Sequence, residues 1–240
     1  MSPQTIEALN QLNTLFYSQN AVSFGATRQQ PWAGWQDLLE YMPQKPFSLL
    51  DIGCGNGRFE AFLRAQQTKL SFYMGIDSST GLLEDARKQV ETEYQRVFKQ
   101  VDIVASKNWL EMPKYFDVVV MLALLHHIPS KQLRQETLNR AAGLLKPGGT
   151  LIVSLWHYDT DARFKHKIIP WKEALQILQS ELEPGDYLLS WNNEQSKKRY
   201  VHVFNKMEIE DLVQSSGLDL IKSFNADGKN QQLNQYLVLR

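Results

Sequence analysis

Apolar residues recur at helical spacing near the start of the chain. Ile6, Leu9, Leu12, Leu15 and Phe16 predict a helix over residues 5–17. A second helix is predicted over 34–41, stopping before Pro43. The pattern then changes to short continuous apolar runs. Residues 47–52, bounded by Pro46 and a glycine cluster, predict a buried strand. Helix follows near 58–66, strand at 71–76, helix over 80–94 and strand at 97–104. The valine-rich run 116–122 is a clearer strand. Pro129 and Ser130 start a helix over 131–145, Gly148-Gly149 punctuates the chain, and 150–155 is a further apolar strand.

Strands that alternate with helices at this spacing imply an α/β fold, a doubly wound parallel sheet covered on both faces. After Leu155 the pattern changes. Residues 157–203 form a polar excursion with one helix near 171–182. The tail then reads helix (206–216), strand (218–224), a turn at Asp227-Gly228 and strand (233–239). Asn205 and Glu208 have the spacing of a capping box. Two strands joined by a short turn are antiparallel. A single domain is therefore expected over 1–240. It comprises an N-terminal helical cap (1–45), a core (46–156), a substrate-side insertion (157–203) and a C-terminal helix and hairpin (204–240).

Composition narrows the class. Of 240 residues, 43% are apolar, enough for one substantial core. The 26 basic and 26 acidic side chains cancel, which argues against a generally basic nucleic-acid coat and allows a local patch. The lone cysteine, Cys54, excludes an internal disulfide and points to a reducing compartment, so a cytoplasmic location is expected. The start of the chain lacks the basic and apolar runs of a signal peptide. The longest strongly apolar run, 118–125, is too short to span a bilayer, so no membrane partner is expected.

Asp51-Ile52-Gly53-Cys54-Gly55-Asn56-Gly57 leaves a strand and opens a helix. Glycines turn the backbone sharply and let it approach a ligand, and a helix start adds N–H groups. The spacing is G-x-G-x-G. Arg58 stands where a pyrophosphate-binding loop has its third glycine. A plain strand-to-helix turn would also use glycine. Asp77, at the end of the next strand, adds a carboxylate that can accept both hydroxyl hydrogens of a ribose. Asp77, Ser78 and Ser79 also suit a helix N-cap, and the two roles are compatible.

Together these residues resemble the class I S-adenosylmethionine-dependent methyltransferases. The run from Asp51 to Gly57 looks like their first motif, and Asp77 sits where they bind the cofactor ribose. Phe116-Asp117-Val118-Val119 resembles their fourth strand. Leu144-Leu145-Lys146-Pro147-Gly148-Gly149-Thr150-Leu151 resembles the turn into their fifth. The resemblance covers roughly 47–156 and the C-terminal hairpin. It implies a seven-stranded, mostly parallel sheet of order 3-2-1-4-5-7-6 with an antiparallel last strand. It also implies S-adenosyl-L-methionine as cofactor, with Asp51, Gly53, Gly55, Gly57, Asp77, Ser78 and Ala123 at its site. The family carries an acidic residue after the third strand, near the adenine amino group. The stretch 104–109 has none, so Ser106 or Asn108 is expected there instead.

Methyl transfer from a sulfonium is an in-line displacement that mainly needs a positioned acceptor. A nitrogen or hydroxyl acceptor can need a base. A carboxylate, ionised at neutral pH, needs a cationic clamp. His126 and His127 follow the fourth strand. Adjacent side chains diverge, so they do not suggest a metal site, and at least one is expected to be structural. The flanks Phe24-Gly25-Ala26-Thr27-Arg28-Gln29-Gln30-Pro31-Trp32 and Arg199-Tyr200-Val201-His202-Val203-Phe204 resemble the tRNA wobble-uridine carboxymethyl methyltransferases. That group includes the methyltransferase domain of the AlkB-type tRNA enzyme. Val201 replaces that family's second tyrosine, and Asp227-Gly228-Lys229-Asn230 lacks its tryptophan. The resemblance implies that Arg28 or Arg199 pairs with the acceptor carboxylate, with Tyr200 and His202 nearby. It also implies a small zinc-binding activator protein as partner. For Arg28 the competing role is a salt bridge that anchors the N-terminal helices.

The excursion suits this reading in part. Residues 163–172 and 197–200 cluster cations with aromatics, which can hold phosphates and stack bases. A packed lid is the alternative, since the excursion is also rich in acids. Trp156 and Tyr158 end the fifth strand, where ligands bind in such sheets. Cys54, between two glycines, reads as a small filler. The expected function is methyl transfer to a tRNA wobble uridine, converting a carboxymethyl group to its methyl ester. A small-molecule O- or N-methyltransferase is the runner-up. A non-catalytic binding module is the reading from another class, and the complete glycine loop weighs against it.

Overall fold

The computed structural model describes residues 1–26, 30–88, 92–106, 116–157, 166–171, 177, 179–191 and 194–240. Helix α1 (Pro3–Ala26) is longer than its apolar stripe predicts. Ser2 caps it, its Oγ accepting the Thr5 N–H at 3.2 Å. Helix α2 (Gly34–Leu38) ends in a 3-10 turn over Leu39–Tyr41. Strand β1 (Phe47–Ile52), helix α3 (Arg58–Ala65), strand β2 (Leu70–Asp77) and helix α4 (Thr80–Arg87) follow.

Strand β3 (Gln95–Gln100) ends four residues before the expected limit, because Asp102 turns the chain. Its Oδ1 accepts the N–H groups of Val104 and Ala105, both at 3.0 Å. Strand β4 (Phe116–Leu122) matches its predicted bounds. Helix α5 (Lys131–Ala142) is capped by Ser130. Strand β5 (Leu145–Trp156) takes in the Gly148-Gly149 pair as a bulge: Phe116 pairs with Leu145, and the next partner of β5 on β4 is Val118, opposite Thr150. Gly148 has φ +74° at that point, a conformation glycine adopts without strain.

The predicted polar excursion contains a small antiparallel sheet, β6 (Ile168–Ile169), β7 (Asp186–Trp191) and β8 (Glu194–His202). Residues 172–176 and 178 of the expected helix lie outside the described residues. Helix α6 (Lys206–Ser216) has both arms of the expected Asn205–Glu208 capping box, followed by β9 (Leu220–Ala226) and β10 (Asn234–Leu239).

The large sheet runs β3-β2-β1-β4-β5-β10-β9, and β10 is antiparallel to both neighbours. With β6–β8 set aside, this is the expected 3-2-1-4-5-7-6 order. Period-two alternation sorts the strand residues between two cores. Leu50, Ile52, Val119, Met121 and Val153 pack with Leu138 of α5 and Leu212 of α6. Leu49, Val118, Val120 and Ile152 pack with Trp35, Phe59 and Phe62 on the other face. Burial of each such side chain stabilises by about 2 kcal/mol. Among the described residues, no helix is long and apolar enough to cross a membrane. The carboxyl ends of β1, β2 and β4 open together into one cavity, beneath α1.

Candidate active site

The glycine loop is tied down by its own amides. The N–H groups of Gly53 and Cys54 donate to the Ile76 carbonyl at 2.8 and 3.0 Å, and that of Gly57 donates to the Cys54 carbonyl at 3.0 Å. The Gly55 N–H donates to Asp77 Oδ2 at 2.9 Å, while Asp77 Oδ1 accepts the Ser79 N–H at 2.8 Å. Gly53, Gly55 and Gly57 have φ of +76°, +55° and +74°. A Cβ on Gly55 would meet only Leu82 Cδ1, at 4.0 Å, so this glycine leaves an open face. A phosphate-binding loop instead keeps its amides free for the ligand. Burial pushes the Asp77 pKa up, against hydrogen bonds from the Ser79, Gly55 and Ser78 amides.

These groups border a cavity of about 750 Å³. Asp51, Gly53, Gly55, Asp77, Ser78 and Ala123 line it. Asp51 accepts the Tyr73 hydroxyl at 2.9 Å. Its burial raises its pKa to about 7, the Tyr73 bond opposing and Asp77 and Glu60 adding to the rise. Burial also pushes the Cys54 thiol well up, so it stays protonated, in keeping with a small packed side chain.

Asp102 lines the cavity too. It is an acidic residue just after the third strand, two residues ahead of the stretch 104–109 in which Ser106 or Asn108 is expected. Its Oδ2 accepts from Asn10 Nδ2 at 2.9 Å. Asn10, Asn13, Thr14 and Tyr17, a polar stripe at helical spacing on α1, line the same wall. That stripe was visible in the sequence, beside the apolar one. Three carboxylates on one wall suit a ligand rich in donors and positive charge. S-adenosylmethionine has an ammonium, a sulfonium, two ribose hydroxyls and an adenine amino group. The wall and the open face of Gly55 therefore fit it.

The far end of the cavity is aromatic and cationic. Arg199, 4% exposed, lies over the rings of Phe16, Trp156 and Trp191 at 5.0, 5.6 and 5.3 Å from their centroids. His126 stands 5.4 Å from Trp156, ring to ring. Burial, then the charges of His127, Arg199, His202 and His157, depresses its pKa far below the ordinary value, so it is neutral at pH 7. His127 is structural. Its ring nitrogens meet the Tyr17 hydroxyl at 2.7 Å and the Tyr200 carbonyl at 3.1 Å.

Several expected residues sit elsewhere. Tyr200 and His202 do share a face of β8, but it faces away from the cavity. The Tyr200 hydroxyl donates to Asp186 Oδ1 at 2.7 Å, and His202 Nδ1 meets the same oxygen at 2.7 Å. Alternation along β8 sends Arg199 the other way. This placement corrects the expectation that both residues stand beside the acceptor. Glu183, Asp186 and His202 bring potential metal-ligand atoms within 4.8 Å of one another. Arg134 Nη2, 2.7 Å from Glu183 Oε2, already supplies a positive charge there. Gly57 caps α3 and does not line the cavity, nor does Ser106. Arg28, Asn108 and Tyr158 lie outside the described residues.

A family profile described as a methyltransferase domain matches residues 24–223. A protein of Encephalitozoon cuniculi named as a candidate methyltransferase is 28% identical over 212 residues, covering 86% of each chain. The chain is also similar to the tRNA (carboxymethyluridine(34)-5-O)-methyltransferase ALKBH8 of Mus musculus, 28% identical over 167 residues. That match covers 69% of this chain and only 23% of the mouse protein. Among solved structures, the complex between the Haloferax volcanii Trm112 methyltransferase activator and its methyltransferase matches with TM-score 0.65 at 16% identity. It covers 93% of this chain and 94% of that one, a likeness of fold.

Proposed function

The chain belongs to the methyltransferase-domain family, with S-adenosylmethionine as its cofactor, and on that premise we propose that it esterifies a carboxylate on the wobble uridine of a tRNA. Bound S-adenosylmethionine supplies an activated methyl group on a sulfonium. In this reading Asp77 accepts the ribose hydroxyls, Asp51 faces the ammonium and Asp102 lies on the adenine side. The open face of Gly55 lets the backbone approach closely. The acceptor enters between Trp156, Trp191 and Arg199.

One observation carries the reading: a buried guanidinium, caged by three aromatic rings, borders the same cavity as Asp77. A desolvated cation attracts and orients a carboxylate strongly. A carboxylate needs no general base, and a neutral His126 beside Arg199 leaves that attraction undiminished. The likeness to ALKBH8 supports a carboxymethyluridine acceptor. The Haloferax neighbour supports a small activator protein as partner, and the reading includes a cytoplasmic location. Within it, the insertion 157–203 forms the acceptor side of the single domain.

A small-molecule acceptor is the second reading. It is favoured by the pairing of Lys197 with Glu194 at 2.7 Å, which offsets part of the cationic cluster that would track a phosphate backbone.

The test is transfer of labelled methyl from S-adenosylmethionine to total small RNA, against a small-metabolite extract. Label in RNA released by mild alkali is the expected result. Alkali-stable label in RNA overturns the ester, and label confined to metabolites supports the second reading.

A further inference from the structure

Two buried polar atoms on the cavity wall have no role in the chemistry so far. Trp35 Nε1 and Asn234 Oδ1 lack a hydrogen-bond partner among the described residues, although Trp35 is 2% and Asn234 1% exposed. Both residues line the cavity that Asp77 and Arg199 border. A buried donor or acceptor left unmade costs about 1–3 kcal/mol. An indole N–H only donates, and an amide oxygen only accepts. The side chains of this wall therefore carry one of each, both closed to solvent.

Asp227 bonds one of them and the chain neighbour of the other. Its Oδ1 accepts the Gly34 N–H, next to Trp35, at 3.0 Å. Its Oδ2 accepts from Asn234 Nδ2 at 2.8 Å and from the Tyr236 hydroxyl at 2.6 Å. With Nδ2 committed to Asp227, which does not line the cavity, the free end of the Asn234 amide is Oδ1. The Trp35 ring is fixed against Phe59 and Phe62, at centroid distances of 5.2 and 5.6 Å, with the Arg58 guanidinium 4.9 Å above it. The charge of Arg58 on this wall is offset by Asp227 behind it, which suits an uncharged ligand group better than a phosphate. In strand register Asn234 stands opposite Trp156, one of the rings around Arg199. This places it on the acceptor side.

We propose that Asn234 and Trp35 form a specificity pair that reads a neutral imide edge of the acceptor: Asn234 Oδ1 accepts from a ring N–H, and Trp35 Nε1 donates to the adjacent carbonyl. The pair rests on the methyl-transfer reading above, in which a heterocyclic acceptor enters this cavity. A pyrimidine with an N3–H satisfies both atoms. One alkylated at N3 leaves Asn234 unsatisfied and places a methyl against it.

The full chain, saturated with S-adenosylhomocysteine, is titrated with 5-carboxymethyluridine and with its N3-methyl analogue. The wild type prefers the N3–H nucleoside by about tenfold. Asn234→Ala removes the acceptor while Tyr236 still holds Asp227, and brings the preference to threefold or less. Trp35→Phe keeps the ring and weakens both nucleosides by about fivefold. S-adenosylhomocysteine binding by each variant shows that it is folded. A wild-type preference of threefold or less, or an undiminished preference in Asn234→Ala, overturns the pair. A wild type that binds S-adenosylhomocysteine and neither nucleoside overturns the pair alone. A wild type that does not bind S-adenosylhomocysteine overturns the methyl-transfer reading, and the pair with it.

Discussion

Asn13 bonds both backbone groups of Tyr200: its Oδ1 accepts the Tyr200 N–H at 2.8 Å, and its Nδ2 donates at 3.2 Å to the Tyr200 carbonyl, which His127 Nδ1 also meets. A helix side chain thus stands where a neighbouring strand would. The same Nδ2 also donates to the His127 carbonyl at 3.0 Å. One amide therefore ties α1 to β8 and to the turn after β4, one residue from Arg199. Asn13→Ala leaves the Tyr200 N–H and carbonyl buried without these bonds. A loss of about 2–4 kcal/mol in unfolding free energy is expected from urea titration. A loss within 0.5 kcal/mol of zero, the scale of an ordinary surface change, would show that the clamp is dispensable.

Asp77 has two tasks, and a single substitution separates them. Both of its oxygens take backbone amides, from Gly55 and Ser79, and the residue also borders the cavity. Asp77→Ala removes the loop anchor together with the ribose partner. S-adenosylhomocysteine binding, followed by calorimetry, is expected to weaken by at least about tenfold. Asp77→Asn keeps an acceptor oxygen for one of the amides, so it is expected to unfold at a temperature closer to the wild type than Asp77→Ala does. Cofactor affinity within threefold of the wild type in both variants would remove Asp77 from the site.

Much of this was readable from local pattern. The apolar run 47–52, the glycine loop and the Asn205–Glu208 box each carry a local signal, and each appears where it was read. The sheet order followed from the family resemblance, not from periodicity. The end of β3 was not readable. Val101, Ile103 and Val104 look like strand, but Asp102 folds back on the amides of residues 104 and 105, and a one-dimensional pattern hides that competition. Misplacing the end hid a carboxylate of the cavity wall. Tyr200 and His202 show a second limit. Alternation put them on one face correctly, but which face meets the cavity depends on how β7 and Asp186 pair across the hairpin, which alternation does not encode. The aromatic cage of Arg199 joins Phe16, Trp156 and Trp191 from three separate elements, and no spacing rule connects them.

Asp51 makes stability depend on pH. Burial raises its pKa from 3.8 to about 7, so the folded protein retains a proton that the unfolded chain gives up near 3.8. A raised carboxyl pKa contributes stability that is complete below the unfolded value and is lost as pH rises through the folded one. Asp51→Asn cannot ionise and still offers an oxygen to the Tyr73 hydroxyl. The melting temperature of this variant relative to the wild type should therefore rise between about pH 4 and pH 7 and level off above. A constant difference across that range would mean that Asp51 ionises in the folded state as it does in water.

Arg199 decides whether the far end of the cavity is an acceptor site. Its guanidinium lies over three aromatic faces and away from bulk water, so an anion beside it meets a weakly screened charge. Arg199→Ala removes the charge and leaves the glycine loop, Asp51 and Asp77 untouched. The expected outcome is a fall in kcat/KM of at least about 100-fold, or roughly 3 kcal/mol, with S-adenosylhomocysteine affinity within threefold of the wild type. Arg199→Lys keeps a charge but loses the planar face that stacks on the rings and the fork that fits a carboxylate. It should recover only part of that loss. Equal losses of transfer and of cofactor binding in Arg199→Ala would place Arg199 in the donor site and leave the carboxylate clamp without its cation. A fully active Arg199→Lys would mean that charge alone is needed, and that the aromatic cage serves packing.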